Sequence, residues 1–222
     1  MKILVLVMSC NLDDYPQLIK KQQETWDSID HPQVDVVYYY SSFKTSLEGN
    51  YLHIDIPEGH GNFYNKTMLA FEKMLGQKWD YIFKSDNSAY VNKAELVKVV
   101  ENKPRKNYYG GHLYQTSYVK SDPFLWGEGM FLSRDVVQDL VREYKADPIL
   151  RSGVEDVHIG MLLKDKFVWD ISLTIPKFYQ LPLSVSHVYR CNNDETNSSL
   201  DTLSAMDSIH KFLHPELTPQ PM

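Results

Sequence analysis

The run Ile3-Leu4-Val5-Leu6-Val7-Met8 constrains the fold more than any other feature of the chain. Consecutive apolar residues without alternation describe a strand covered on both faces, as in a parallel sheet between helix layers. The following segments keep that grammar. A polar helix is expected from the Asp13-Asp14 cap region through Leu18, Ile19 and Gln22 to Trp26, then a β-branched, aromatic strand over 34–40. Leu52, Ile54 and Ile56 alternate through a third strand closed by Pro57-Glu58-Gly59. Residues 62–75 have helical spacing with Gly76 as the stop, and 79–83 read as another buried strand. Further on, the pattern predicts helices over 93–101, 134–145, 155–164 and 204–213, with strands over 130–132 and 167–175. Strand and helix alternate, so the expected class is α/β: a Rossmann-like domain with a central mixed, mostly parallel sheet flanked by helices. Residues 1–214 read as one domain and 215–222 as a loose tail.

Composition narrows the partners. The 222 residues, 43% hydrophobic and 23% charged, suit a globular chain able to bury a core. Asp plus Glu number 29 against 23 Lys plus Arg, and the net charge of -6 argues against a nucleic-acid partner. The first apolar run is too short for a signal h-region and lacks a small-residue cleavage site. No run has the length of a transmembrane segment. The expectation is a soluble protein, cytoplasmic as it stands, or a soluble lumenal segment of an anchored one. Cys10 and Cys191 do not form a disulfide framework, which leans toward a reduced compartment. The aromatic share, 13% with 15 Tyr and 4 Trp, suits sugar or base platforms as well as ordinary packing.

No G-x-G-x-x-G follows the first strand and no Walker motif is present, which excludes the usual dinucleotide and P-loop sites. Open α/β sheets bind ligands at the carboxyl ends of their strands. That singles out Ser9 to Asn11, after the first strand, and Lys84-Ser85-Asp86-Asn87-Ser88, after a later one. A carboxylate at Asp86 suits a hard cation that in turn holds a diphosphate, and equally an Asx turn. In Trp126-Gly127-Glu128-Gly129 the glycines permit close approach of a ligand, and Trp126 is a sugar platform or core. Ser133 fits a helix N-cap. Glu155 and Asp156 open a helix, where they complement its dipole or supply a general base. His187 and His210 are late histidines, each structural or a metal ligand.

In order and spacing, these segments resemble the GT-A glycosyltransferases of the β1,3-galactosyltransferase and Fringe type. Gln23-Glu24-Thr25-Trp26 resembles that family's Arg-x-Thr-Trp, and Asn65-Lys66-Thr67 its Asn-Leu-Thr. The stretch 84–92 aligns without gaps on Lys-Thr-Asp-Asp-Asp-Val-Phe-Val-Asn. Residues 127–133 resemble Gly-x-Gly-Tyr-Val-Leu-Ser, Glu155-Asp156-Val157 with Gly160 resembles Glu-Asp-Val-x-x-Gly, and Ser186-His187-Val188 resembles Ser-His-Leu. The likeness spans roughly 2–190. It implies inverting transfer of a sugar from a nucleotide-sugar donor, a UDP-sugar, to a hydroxyl of a glycan or glycoprotein acceptor, with a divalent metal, manganese. By the same resemblance, Asp156 is the base and Asp86 and His187 are metal ligands. Ser9, Asn11, Lys84, Asp86, Asn87, Trp126, Gly127, Glu128 and Gly129 line the donor site. The family's acidic triplet is Asp86-Asn87-Ser88 here, and Gln23 stands for its Arg, so metal affinity is expected to fall. Two alternatives follow: a non-catalytic sugar-nucleotide or glycan-binding module, and a glycoside hydrolase using Glu128 with Asp156.

Overall fold

The computed structural model describes residues 1–114, 123–147, 155–164, 166–167, 169–177, 186–191 and 199–217. Strand β1 (Ile3–Met8) lies in the middle of a sheet, between β2 (Val34–Ser42) and β5 (Tyr81–Asp86), parallel to both. Its residues Ile3 to Val7 are at most 5% exposed, as its unbroken apolar run requires. Ile3, Val5 and Val7 face one core with Phe83, Phe131 and Met206, whereas Leu4 and Leu6 face another with Met68, Phe71 and Leu140. The two-residue period of the strand thus feeds two helix layers.

The remaining strands are β3 (Ser46–Glu48), β4 (Tyr51–Asp55), β6 (Ala89–Val91), β7 (Tyr109–Tyr114), β8 (Phe124–Ser133), β9 (Trp169–Asp170) and β10 (Val188–Arg190). Among the described residues the large sheet runs β3-β4-β2-β1-β5-β8-β7-β9, and β6 and β10 form a separate antiparallel ribbon. The block β4-β2-β1-β5 is parallel, and β8 reverses against both β5 and β7. The helices are α1 (Tyr15–Glu24), α2 (Phe63–Met74), α3 (Lys93–Val100), α4 (Arg134–Ala146), α5 (Glu155–Leu163) and α6 (Ser199–Leu213). This is the mixed, mostly parallel α/β sheet expected from the alternation.

Some expectations change. Strand β8 begins at Phe124, where the sequence marked only 130–132, and β7, β6 and β10 had no strand signal strong enough to read. The glycines of β7 and β8 look like loop signals, but they lie where chains crowd. A Cβ on Gly129 would stand 3.0 Å from Ile175 and 3.1 Å from Phe83. Of the strand expected over 167–175, only Trp169–Asp170 pairs, in parallel with β7. Helix α6 starts at Ser199 rather than 204. Ser133 holds the cap position of α4 with extended backbone but makes no cap bond. Its hydroxyl accepts from Tyr108 N and donates to Asp135 Oδ1, tying β7 to α4. At the C-terminus, Pro215–Leu217 forms a 3-10 turn, and 218–222 lie outside the described residues.

Candidate active site

In the paired register Met8 stands beside Asp86, so β1 and β5 end together at one edge of the sheet. The chain leaves β1 toward β2 and returns on the other side as β5, and the crevice at such a reversal is the usual ligand site of an open α/β sheet. A cleft of about 490 Å³ opens there. Ser9, Asp86, Asn87 and Glu128 line it, as do Cys10, Lys66 and the start of α1. Its charge is acidic: Asp13, Asp14, Glu58, Asp86 and Glu128 bring carboxylates, and Lys66 an ammonium. Asp13 sits at φ 51, a left-handed conformation that costs a non-glycine residue energy and here shapes the loop after β1.

The Asp86 loop is held from within and from behind. Asp86 Oδ1 accepts from Ser88 N at 2.9 Å and from Ser88 Oγ at 2.8 Å, an Asx-type turn. Gln22, fully buried on α1, donates its amide to the carbonyls of Asp86 at 3.0 Å and Ala89 at 2.8 Å. On the facing wall the Lys66 ammonium donates to Ser9 O at 2.9 Å and pairs with Glu58 at 2.8 Å. Neither Gln22 nor Lys66 stood out as a site residue in the sequence. A glutamine in a polar helix and a lysine at the start of another carry no local signature of the loop they clamp.

The segment Trp126 to Gly129 is a bulge. β7 and β8 pair at Gly111–Met130 and again at Leu113–Leu125, so β8 carries extra residues between the two points. Bulges re-aim side chains beside functional sites. Glu128 reaches the cleft and is paired with Arg190 at 3.0 Å. The Arg190 guanidinium lies 4.4 Å above the Trp126 ring, which also meets Tyr114, stacked at 5.1 Å, His112 and the Lys177 ammonium. Trp126 therefore belongs to an aromatic and cationic cluster beside the cleft and does not line it.

Gly127 opens a second, buried layer. Its N–H donates to Asp156 Oδ2 at 3.0 Å, and its carbonyl accepts from Lys84 Nζ at 2.9 Å. Lys84 is fully buried and paired with Glu155. Burial disfavours the ammonium, but the Glu155 carboxylate together with Tyr39 and Asp86 outweighs it and holds the lysine charged. Lys84 is thus committed to Glu155 and Gly127, which removes it as a direct partner of a donor phosphate. Asp156 also accepts from Val157 N at 2.8 Å. Burial, and then the charge of Glu155, push its carboxyl up to about 6. Asp156 lies behind Gly127, 5% exposed, and Glu128 is held by a different partner. The two do not flank one cavity as a hydrolase pair. Asn11 is exposed on the loop after β1, and Gly129 faces Ile175 and Phe83 rather than the cleft.

His187 is not brought to Asp86. Its ring packs between Phe83 and Phe131, each at 6.1 Å, and Nε2 has no hydrogen-bond partner among the described residues. Burial lowers it to about 4, so it is a neutral core imidazole. A metal centre of Asp86 with His187 therefore does not fit. Among the described residues, no group of three or more His, Cys, Asp or Glu is arranged to hold a metal ion. Asp86 remains as a single hard oxygen donor.

Comparison with known proteins adds the fold. No protein-family model matches the chain, and no curated protein matches it. Solved structures do. A glycosyltransferase involved in the glycosylation of the major capsid of PBCV-1 is 12% identical, with 94% of this chain and 100% of that one covered and a TM-score of 0.57. The mannosyltransferase PcManGT from Pyrobaculum calidifontis, solved with GDP-Man and Mn2+, is 11% identical, with 100% and 66% covered and a TM-score of 0.53. A 4-diphosphocytidyl-2C-methyl-D-erythritol synthase from Anaerococcus prevotii is 8% identical, with 94% and 96% covered and a TM-score of 0.51. The chain has the GT-A type of α/β fold found in glycosyltransferases. No helix among the described residues is long and apolar enough to cross a membrane.

Proposed function

We propose that the protein is a nucleotide-sugar-dependent glycosyltransferase of the inverting kind, with its donor in the cleft at the ends of β1 and β5. The observation that carries this reading is the convergence of Ser9, Asp86, Asn87 and Glu128 on one cleft at the reversal point of a GT-A-type sheet. The ordered likeness to the β1,3-galactosyltransferase and Fringe type supports a UDP-sugar donor and a glycan or glycoprotein acceptor.

The cleft's charge bears on the donor. A diphosphate entering beside Asp13, Asp14 and Asp86 meets like charge, which a divalent cation arriving with it offsets. Asp86 would hold such an ion, manganese by the resemblance, with phosphate oxygens and water completing its shell; the ion would neutralise charge on the leaving diphosphate. Gln22 and Ser88 fix the Asp86 loop, and Lys66 fixes the carbonyl of Ser9, so the donor meets a prearranged wall. By the resemblance Asp156 takes the proton of the attacking hydroxyl; it is buried behind Gly127, so the acceptor must reach it past that residue, and its raised titration point suits a base working near neutrality.

Donor hydrolysis and transfer are measured on a panel of nucleotide-sugars and acceptors, with Asp156→Asn, Glu128→Gln and Asp86→Ala alongside wild type. Asp156→Asn is expected to bind donor and lose turnover. Loss with Glu128→Gln and full turnover with Asp156→Asn would move the base to Glu128. Donor binding without turnover on any acceptor would establish the binding module instead.

A further inference from the structure

We propose that the C-terminal end of α6 carries a binding site for a late first-row transition-metal ion, zinc being the natural occupant, built on His210 and His214. The site is independent of the cleft and of the reading given for it. His210 lies in the last turn of α6 and His214 is the residue just past its end, its N–H donating to His210 O at 2.8 Å, so the i, i+4 pair stays one turn apart on one face. Their ring centroids are 5.1 Å apart. Both are partly exposed.

The His210 imidazole is also oriented through one ring nitrogen. His210 Nδ1 is 2.9 Å from the hydroxyl of Tyr90, a fully buried residue of β6 that cannot follow the ring outward. His214 Nδ1 lies 3.6 Å from Glu216 Oε1 in the Pro215–Leu217 turn, within reach of a carboxylate partner though beyond a hydrogen bond. Metal-binding histidines characteristically engage a carboxylate or another oxygen with one ring nitrogen and the metal with the other. In the proposed site the two Nε2 atoms share one ion, on the i, i+4 spacing that helical two-histidine sites use. Imidazole donors favour zinc, nickel and copper over manganese. The protein supplies two ligands, and water or a second molecule completes a tetrahedral shell. Tyr90 pairs directly with Tyr189 of β10, so an ion here ties the end of α6 to the β6-β10 ribbon.

The test is calorimetric titration of the full chain with zinc sulfate, with manganese chloride in parallel. One zinc per chain is expected, with manganese failing to displace it. His214→Ala should weaken zinc binding by about tenfold or more, and Glu216→Gln by up to about tenfold. Glu216 is exposed, so its variant should melt in the metal-free state at the wild-type temperature. Long-range 1H–15N spectra of wild type should show zinc moving the Nε2 signals of His210 and His214, which decides the matter even if a histidine variant fails to fold. Absence of zinc binding, undiminished affinity in His214→Ala, or zinc-induced shifts confined to other histidines would overturn the proposal.

Discussion

Replacing Lys84 by methionine keeps the length of the side chain and removes a fully buried ammonium. What remains is Glu155, 3% exposed, beside Asp156, 5% exposed, with the cation gone. Both carboxylates crowd one point: the position of a Cβ on Gly127 is 3.0 Å from Glu155 Oε1 and 3.2 Å from Asp156 Oδ2. Two unit charges about 6 Å apart repel by about 3 kcal/mol at an effective dielectric near 20. Removing one member of a buried pair costs about 3–5 kcal/mol, a large part of a stability of roughly 5–15 kcal/mol. In a chain of this size that lowers the melting temperature by roughly 6–20 °C. The double variant Lys84→Met/Glu155→Leu removes both charges and should recover most of the loss. Urea unfolding gives the midpoints, read at constant m-value. The lysine also holds down the titration of Asp156, so the acid limb of the activity profile should move to higher pH in the single variant. A single variant within about 1 kcal/mol of wild type, or a double variant no better than the single, would refute the view that this pair is a charge-compensated core.

Other perturbations probe the same architecture. Gly127→Ala places a methyl 3.0–3.2 Å from Glu155, Lys84 and Asp156; a loss of about 1–3 kcal/mol is expected in urea unfolding, with weaker donor binding by calorimetry. Gln22→Ala leaves the carbonyls of Asp86 and Ala89 without their donor, which should cost about 1–3 kcal/mol and raise KM for the donor more than it lowers kcat. His187 titrates at about 4 in the fold against an ordinary 6.5. Its contribution is therefore complete above pH 6.5 and lost as pH falls through about 4, about 3 kcal/mol in all. His187→Phe should flatten that part of the stability–pH curve, and an unchanged curve would place the acid sensitivity elsewhere.

The amino-acid order alone determined the sheet's centre. An unbroken apolar run at Ile3–Met8 has no way to satisfy itself except between two layers, and the alternation of strands and helices then yields the parallel block. It also marked Ser9 and Asp86, because a polar turn straight after a buried strand lands at a carboxyl edge. Strands with little local pattern escaped it. Tyr109–Tyr114 and Phe124–Gly129 are rich in glycine, and their strand state comes from the neighbours they crowd against. Which residues meet was a matter for the tertiary structure. Packing, not spacing, sent His187 into a pocket between Phe83 and Phe131, joined Lys84 to Glu155 across a sequence separation of 71, and brought Gln22 under the Asp86 loop. Local sequence fixes the faces an element must bury, whereas the partner each buried polar group finds depends on which distant elements pack beside it.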